Sequence, residues 1–353
     1  MTQNNLKYVA VNKPILTSLE KGKKYAWCTC KHSKSQPFCD GSHKGTDMKP
    51  LVFMADKDED VLLCTCKATA SGPYCDGAHN NLEDTYAEAS VEEVVSMENS
   101  TQVNLDLNGK ALLDGGAYVL RPSSTNSQSA GTISYQPMIS EEDGATKLSL
   151  HKIDVLSGIS PWLQYEKVDT VLYIMDGKGQ VEIAGKEFDV QQEAGIYIRP
   201  GEAFRFKTDT LMTVFATVCP LGTDLTILSE NVTNFQSEHA QRSVTFDRET
   251  ATVMANRLYQ ELVDKKVGSK EVTQFIGEIP KSRAAMHRHL YEEAIIILTG
   301  IGRMWTGTKW TEVEMGDVIF LPHRQGHSLE CTSDSGMRLM GVFYPSGSPA
   351  INY

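Results

Sequence analysis

From about residue 111 onward, short runs rich in Val, Ile, Tyr, Phe and Thr alternate with Gly, Pro and Asp. The runs 170–175, 195–199, 213–218, 294–298, 317–321 and 340–344 have the length and composition of strands. Their punctuation reads as the turns of a β-sandwich or barrel. One stretch departs from this pattern. In 247–266, Val253, Leu258 and Leu262 stand at helical spacing, which predicts a helix between two β segments. The Ser/Thr-rich stretch 123–131 reads as a mobile loop. Residues 1–80 are turn-rich, and 81–110 are acidic and amide-rich, a linker with a short helix predicted around 90–97.

The β segments repeat. Gly177 and Gly300 close similar strands, and the same offset of 123 pairs Arg199 with Pro322 and Phe204 with His327. A duplicated barrel is the simplest explanation. A second, sharper repeat lies near the start. Cys28-Thr-Cys30, Cys39 and His43 return as Cys64-Thr-Cys66, Cys75 and His79, every ligand-type residue displaced by 36. Six of the eight cysteines are spent in this pattern. Three thiolates and an imidazole make a complete donor set for a soft metal centre.

Composition narrows the setting. A chain of 353 residues predicts two or three domains. No apolar run is long enough to span a bilayer, and the first ten residues lack the basic flank and apolar stretch of a signal peptide. Closely spaced cysteines without an export signal favour metal binding over disulfides, so a cytoplasmic protein is expected. A formal charge of −11 argues against general nucleic-acid binding. The charge is uneven: residues 1–50 carry nine Lys against three Asp/Glu, and residues 51–100 carry two Lys against eleven. That is a solvated surface, or a basic face for an acidic electron-transfer partner.

The pattern Cys-x-Cys-x8-Cys-Asp-Gly-Ser/Ala-His resembles the CDGSH iron–sulfur (NEET) family. Pro37 and Pro73 stand two residues before the third cysteine, as the family has it, and Ala78 is a mild departure. The resemblance covers roughly 22–82. It implies one 2Fe–2S cluster per unit, held by Cys28, Cys30, Cys39 and His43, and by Cys64, Cys66, Cys75 and His79. Imidazole in place of one thiolate removes negative charge and should raise the potential. It also makes each site proton-sensitive. Asp40 and Asp76 are placed for tuning from outside the ligand set. The alternative is a Cys3His zinc site, against which Cys-x-Cys is tighter than the usual zinc knuckle. His32 has no counterpart in the second unit and reads as a surface residue.

His287-Arg-His289, Glu293 and Gly300, followed by Gly316, Pro322 and His327, resemble the two signature motifs of the cupin superfamily, with Arg324 where the family has Gly. The resemblance implies a double-stranded β-helix barrel over roughly 270–350. Residues two apart on a strand share a face, so His287 and His289 both point inward. Glu293 and His327 complete a set suited to one divalent metal, with Fe preferred over Mn, Ni or Zn. By the 123 offset the first barrel presents Gln164, Glu166, Thr170 and Phe204 at these positions, which is not a ligand set. It therefore reads as degenerate, a packing partner or accessory pocket.

The expected architecture is mainly β: a small tandem CDGSH module (1–82), a linker (83–110), a degenerate cupin barrel (111–228), an inter-barrel segment with a helix (229–268) and a metal-binding cupin barrel (269–353). Arg283, Arg303 and Trp305 are candidates to hold a substrate carboxylate. Cys219 and Cys331 read as inert buried thiols, and His151 and His239 receive no role. The leading expectation is an iron-dependent cupin oxygenase or oxidase of a small metabolite, with two 2Fe–2S clusters relaying electrons from an external reductase or electron carrier. The alternatives are a redox or pH sensor or cluster-transfer protein, and a cupin isomerase or lyase with regulatory clusters. Monomer and homodimer are both open.

Overall fold

The computed structural model describes residues 14–44, 48–69, 71–78, 100–123, 127–221, 225–254, 257–284, 286–289, 291–347 and 349. His79 and the helix expected at 90–97 lie outside these residues. The chain forms two units, 1–94 with 350–353, and 95–349.

In the first unit, Ile15–Leu19 pairs antiparallel with Glu59–Leu63, and Lys24–Trp27 pairs antiparallel with Leu51–Met54. The 36-residue offset makes Leu51–Met54 the counterpart of Ile15–Leu19, and Glu59–Leu63 that of Lys24–Trp27. Each repeat thus pairs its leading strand with the second strand of the other. The turns match one for one: Cys28 and Cys64 donate their N–H groups to the carbonyls of Pro37 and Pro73, both at 2.9 Å. Trp27, Leu63, Cys64 and Cys66 form a small core with Phe38, Phe53 and Val61 against it.

The second unit holds two barrels, each of two sheets. In the first barrel one sheet runs Ser243–Thr245, Ala194–Ile198, Asp169–Asp176, Met212–Cys219, Ser149–Val155, Ile133–Ile139, Gln128–Ala130. In the second barrel the corresponding sheet runs Thr252–Met254, Arg257–Val263, Thr273–Ile279, Met337–Tyr344, Glu292–Thr299, Val318–Leu321, Tyr118–Leu120, Lys110–Leu112. Its other sheet runs Ser282–Arg283, Ser328–Cys331, Ile301–Trp305, Lys309–Glu314, Thr101–Gln102.

These strands read as continuous apolar runs because both faces are covered. In Glu292–Thr299, Ile295 and Ile297 face the barrel interior, while Ala294, Ile296 and Leu298 join Tyr173, Val171 and Leu150 in a layer between the barrels. Glu292 adds a polar tie to that layer. Its buried carboxylate accepts the backbone N–H groups of Thr146, Lys147 and Leu148 at 2.6–3.2 Å.

The barrels also exchange strands. Tyr118–Leu120 precedes the first barrel in sequence but pairs with Val318–Leu321 of the second. Ser243–Thr245 precedes the second and pairs with Ala194–Ile198 of the first. Arg121 locks its strand by a two-pronged pair to Asp317 at 2.9 and 3.0 Å.

Four expectations are corrected here. The first barrel does not begin at 111, because 110–120 belongs to the second barrel's sheet. Nor is all of 83–110 linker, since Thr101–Gln102 pairs with Lys309 and Trp310. Within 123–131, Gln128–Ala130 is a strand of a hairpin with Ile133–Ile139. Among the described residues of 247–266 no α-helix forms. Thr252–Met254 and Arg257–Val263 are antiparallel strands, and Val253 is 71% exposed while Leu262 is buried. The spacing that suggested a helix also fits a strand on which Leu258, Gln260 and Leu262 share a face. Gly268, with a φ of 94°, ends the short turn that follows.

Candidate metal centres

His287 and His327 face each other across an isolated bridge. His287 N–H donates to the His327 carbonyl at 2.9 Å, and His327 N–H donates back at 2.7 Å. The Nδ1 of His327 lies 2.9 Å from the Gln325 carbonyl. A carbonyl can only accept, so Nδ1 carries the proton and Nε2 is left as the ligand atom. Ligand atoms of His287, His289 and His327 all lie within 4.8 Å of one another. Glu293 Oε2 is 3.5 Å from His289 Nε2. The His289 ring stacks on Tyr291 at 4.5 Å, and Tyr291 stacks on Phe343 at 3.9 Å.

The chemistry of these donors fits a cation. Glu293 is buried, and its Oε2 has no hydrogen-bond partner. Burial pushes its carboxyl up to about 8. Burial, then the neighbouring His287, pulls His327 well below the usual histidine range. A neutral imidazole is the ligand form, and a divalent ion is the natural counter-charge for a buried carboxylate that nothing else neutralises. The surrounding wall is apolar, with Tyr291, Ile295, Ile297, Met304, Leu329 and Phe343 in one cluster.

At the rim, the Arg324 N–H donates to the His289 carbonyl at 2.9 Å. Arg324 has a φ of 66°, which explains why the motif carries glycine there.

Arg283, Arg303 and Trp305 are corrected. His327, Leu329 and Cys331 alternate with Ser328 and Glu330, and Leu329, Cys331 and Met304 enter the barrel core. Arg303 pairs with Glu330, Trp305 with Ser328, and Arg283 with Glu330. All three therefore lie on the outer face, opposite the histidines. There Arg283 packs 4.1 Å from the Trp305 ring centre, the Trp305 indole donates to Glu330 at 2.9 Å, and Trp305 stacks on Trp310 at 5.2 Å.

In the first barrel, the Gln164 amide donates to the Gly201 carbonyl at 2.6 Å and Glu166 is exposed. Thr170 and Phe204 are buried, and Phe204 packs against Tyr165 and Phe206. Carbon fills this interior. Cys219 and Cys331 are buried, and burial pushes both thiols up.

In the first unit the sulfur donors come in pairs. Cys28 and Cys30 are 3.8 Å apart, Cys39 Sγ and His43 Nδ1 3.1 Å, and Cys64 and Cys66 3.4 Å. The four donors of the first repeat do not close into a single group like that of the barrel histidines. Two pairs suit two irons, whereas one tetrahedral zinc needs all four together. Backbone N–H groups meet the sulfurs: Gly41 to Cys39 at 3.4 Å, Lys67 to Cys64 at 3.2 Å and Ala68 to Cys66 at 3.5 Å. Asp40 accepts from Ser42 and Lys34 at 2.9 and 2.8 Å, and Asp76 from Ala78 at 3.1 Å. Both carboxylates shape the loop that presents the third cysteine. The Ser42 and Lys34 hydrogen bonds hold Asp40 well below the usual carboxylate range. Sequence reasoning missed Gln325, Tyr291 as the support of His289, and Lys67. Only tertiary contacts reveal them.

Comparison with known proteins agrees with this geometry. The family described as iron-binding zinc finger CDGSH type matches residues 6–44, and the cupin domain family matches residues 277–343. The human and mouse mitochondrial CDGSH iron-sulfur domain-containing protein 3 are each 60% identical over 35 residues. That match covers 10% of this chain and only 28% and 26% of those relatives. Among solved structures, a mutant of Bacillus subtilis oxalate decarboxylase is similar at 13% identity and a TM-score of 0.53, over 64% of this chain and 76% of its own. The Ylba protein of E. coli is similar at 15% identity and 0.53, over 69% and 97%. Procruciferin, an 11S globulin of Brassica napus, is similar at 11% identity and 0.54, over 64% and 84%. At such identities these likenesses show the fold. The chain joins a segment that matches the CDGSH-type family to two barrels of the fold these structures share, the second of which matches the cupin domain family.

Proposed function

We propose that the second barrel is a mononuclear iron site, held by His287, His289, His327 and Glu293, of an oxygenase or oxidase. In this reading the two cysteine repeats each hold a 2Fe–2S cluster that feeds it electrons. The three imidazoles whose ligand atoms lie within 4.8 Å of one another, with the buried Glu293 carboxyl 3.5 Å from the His289 ring nitrogen, carry the reading. Divalent iron bound there supplies redox chemistry toward dioxygen and has coordination positions to spare for substrate.

The protein's own groups do the rest. The Gln325 carbonyl fixes the His327 tautomer, and the Tyr291–Phe343 stack fixes the His289 plane. The apolar wall excludes water, and Glu293 is the group able to exchange a proton inside it. With Arg283 and Arg303 facing outward, the fitting substrate is a small neutral or mostly apolar metabolite rather than a dicarboxylate. Tethering supports the relay, because it raises the local concentration of donor beside acceptor.

The test combines metal analysis with single-turnover kinetics. The anaerobically purified chain should hold one iron beyond its clusters, lost in H287A/H327A. Oxygen should oxidise the reduced clusters faster in the iron-loaded chain than in that variant. Equal rates would end the relay. A stoichiometric non-iron metal would favour a lyase or isomerase using the ion as Lewis acid, a reading to which the oxalate decarboxylase likeness of fold lends weight.

A further inference from the structure

Lys67 stands between the two cysteine sites of the first unit. Its backbone is left-handed, with a φ of 61°, which turns the chain after Cys66 and aims its own N–H at Cys64 Sγ. Its ammonium donates to the Cys64 carbonyl at 2.7 Å and lies 4.4 Å from the centre of the Trp27 ring. The same carbonyl accepts the Trp27 indole N–H at 2.6 Å. Trp27 is buried and directly precedes Cys28. A ligand-adjacent side chain of the first repeat and a lysine of the second therefore meet on one backbone oxygen. Burial pulls the Lys67 ammonium down to about 8, and the thiols of both sites, Cys28 and Cys64 and then Cys66 and Cys30, act against that and favour its charge. The repeat does not duplicate the device, because the 36-residue offset puts Leu63 where Trp27 stands, and the leucine side chain has no N–H to give.

Reduction adds an electron to a cluster already rich in negative charge. A half-buried cation beside the sulfurs favours the reduced form, and it acts more strongly there than in water. Resting on the two-cluster reading above, we propose that Lys67 is a positive charge shared by both clusters that raises the reduction potential of each, with Trp27 the positioning residue that holds it between them.

The test is redox titration, followed by visible absorption and EPR, of the full chain assembled anaerobically. It is run in two backgrounds, C75S and C39S, each of which leaves one repeat complete. Lys67→Met should lower the potential of whichever cluster remains, by about tenfold in the reduction equilibrium, which is about 59 mV for one electron. Lys67→Arg should restore most of the shift in both backgrounds. Trp27→Phe keeps a ring but loses the N–H, so both potentials should move by less than with Lys67→Met. A shift confined to one background, or none in either, overturns the shared charge. Iron content separates this from failure of the premise: a parent chain with the iron of a single cluster would refute the two-cluster reading itself.

Discussion

Arg324 occupies a backbone conformation that L side chains enter at a cost of about 1–2 kcal/mol. Its N–H holds the His289 carbonyl, which any residue can do. Arg324→Gly is therefore expected to raise stability by about 1 kcal/mol, read as a higher thermal midpoint; a lower midpoint would mean the guanidinium contributes more than the strain costs. Glu293 and His327 make the metal-free protein pH-sensitive in opposite senses. Glu293 rises from 4.5 to about 8 on folding, so between those values the folded chain binds the extra proton and stability falls as pH rises. His327 is lowered below 6.5, so its unfavourable contribution appears only as pH drops under 6.5. Below 6.5 the two slopes oppose each other, and above it Glu293 acts alone. With the cysteine sites loaded and the barrel metal removed, Glu293 should cost the chain about 2 kcal/mol between pH 6.5 and 8, and Glu293→Gln should flatten that limb in denaturant titrations. The candidate ligands could be picked out from spacing, because strand alternation and a repeat offset are one-dimensional facts, and three of them do come together. The outward placement of Arg283, Arg303 and Trp305 could not, since it depends on how they pair with Ser328 and Glu330.

The turn Asp114–Gly116 shows how a segment far away in sequence braces the barrel site. The Asp114 carboxylate accepts from Thr306, Thr308 and Lys309 at 2.6–3.0 Å, which fixes the turn. Gly115, with a φ of 64°, lies so close to Gln325 that an added Cβ would fall 1.6 Å from its Oε1. That amide is itself tied to the Gly326 carbonyl at 2.8 Å, and the Gln325 carbonyl holds His327 Nδ1. Gly115→Ala is expected to displace Gln325 and weaken metal binding on the order of tenfold, leaving cluster absorption unchanged. Unaltered metal affinity would show that the amide moves aside without disturbing the carbonyl. The misread helix at 247–266 has the same lesson. Three apolar residues at spacings of five and four fit either element, and only pairing with Thr273–Ile279 decides between them.

Both halves of the chain are internal duplications that trade strands between repeats. The offsets of 36 and 123 announce the duplication, but a strand keeps its sequence whichever sheet it joins, so the exchange is silent until the pairing is known. The exchange makes the second barrel depend on residues that precede the first. Tyr118 and Val119 are fully buried and Leu113 nearly so, each worth about 2 kcal/mol of burial. Without this segment Asp317 also loses its guanidinium partner while staying buried. A fragment spanning 122–353 keeps every strand of the first barrel and all four candidate ligands of the second. It should nonetheless fail to bind a divalent metal at the histidine site, whereas 100–353 should bind it. Cobalt absorption reports the ligand set directly, and circular dichroism shows whether β structure survives. Equal cobalt binding by the two fragments would mean that the exchanged strand only decorates the second barrel, and that the site is built from the C-terminal repeat alone.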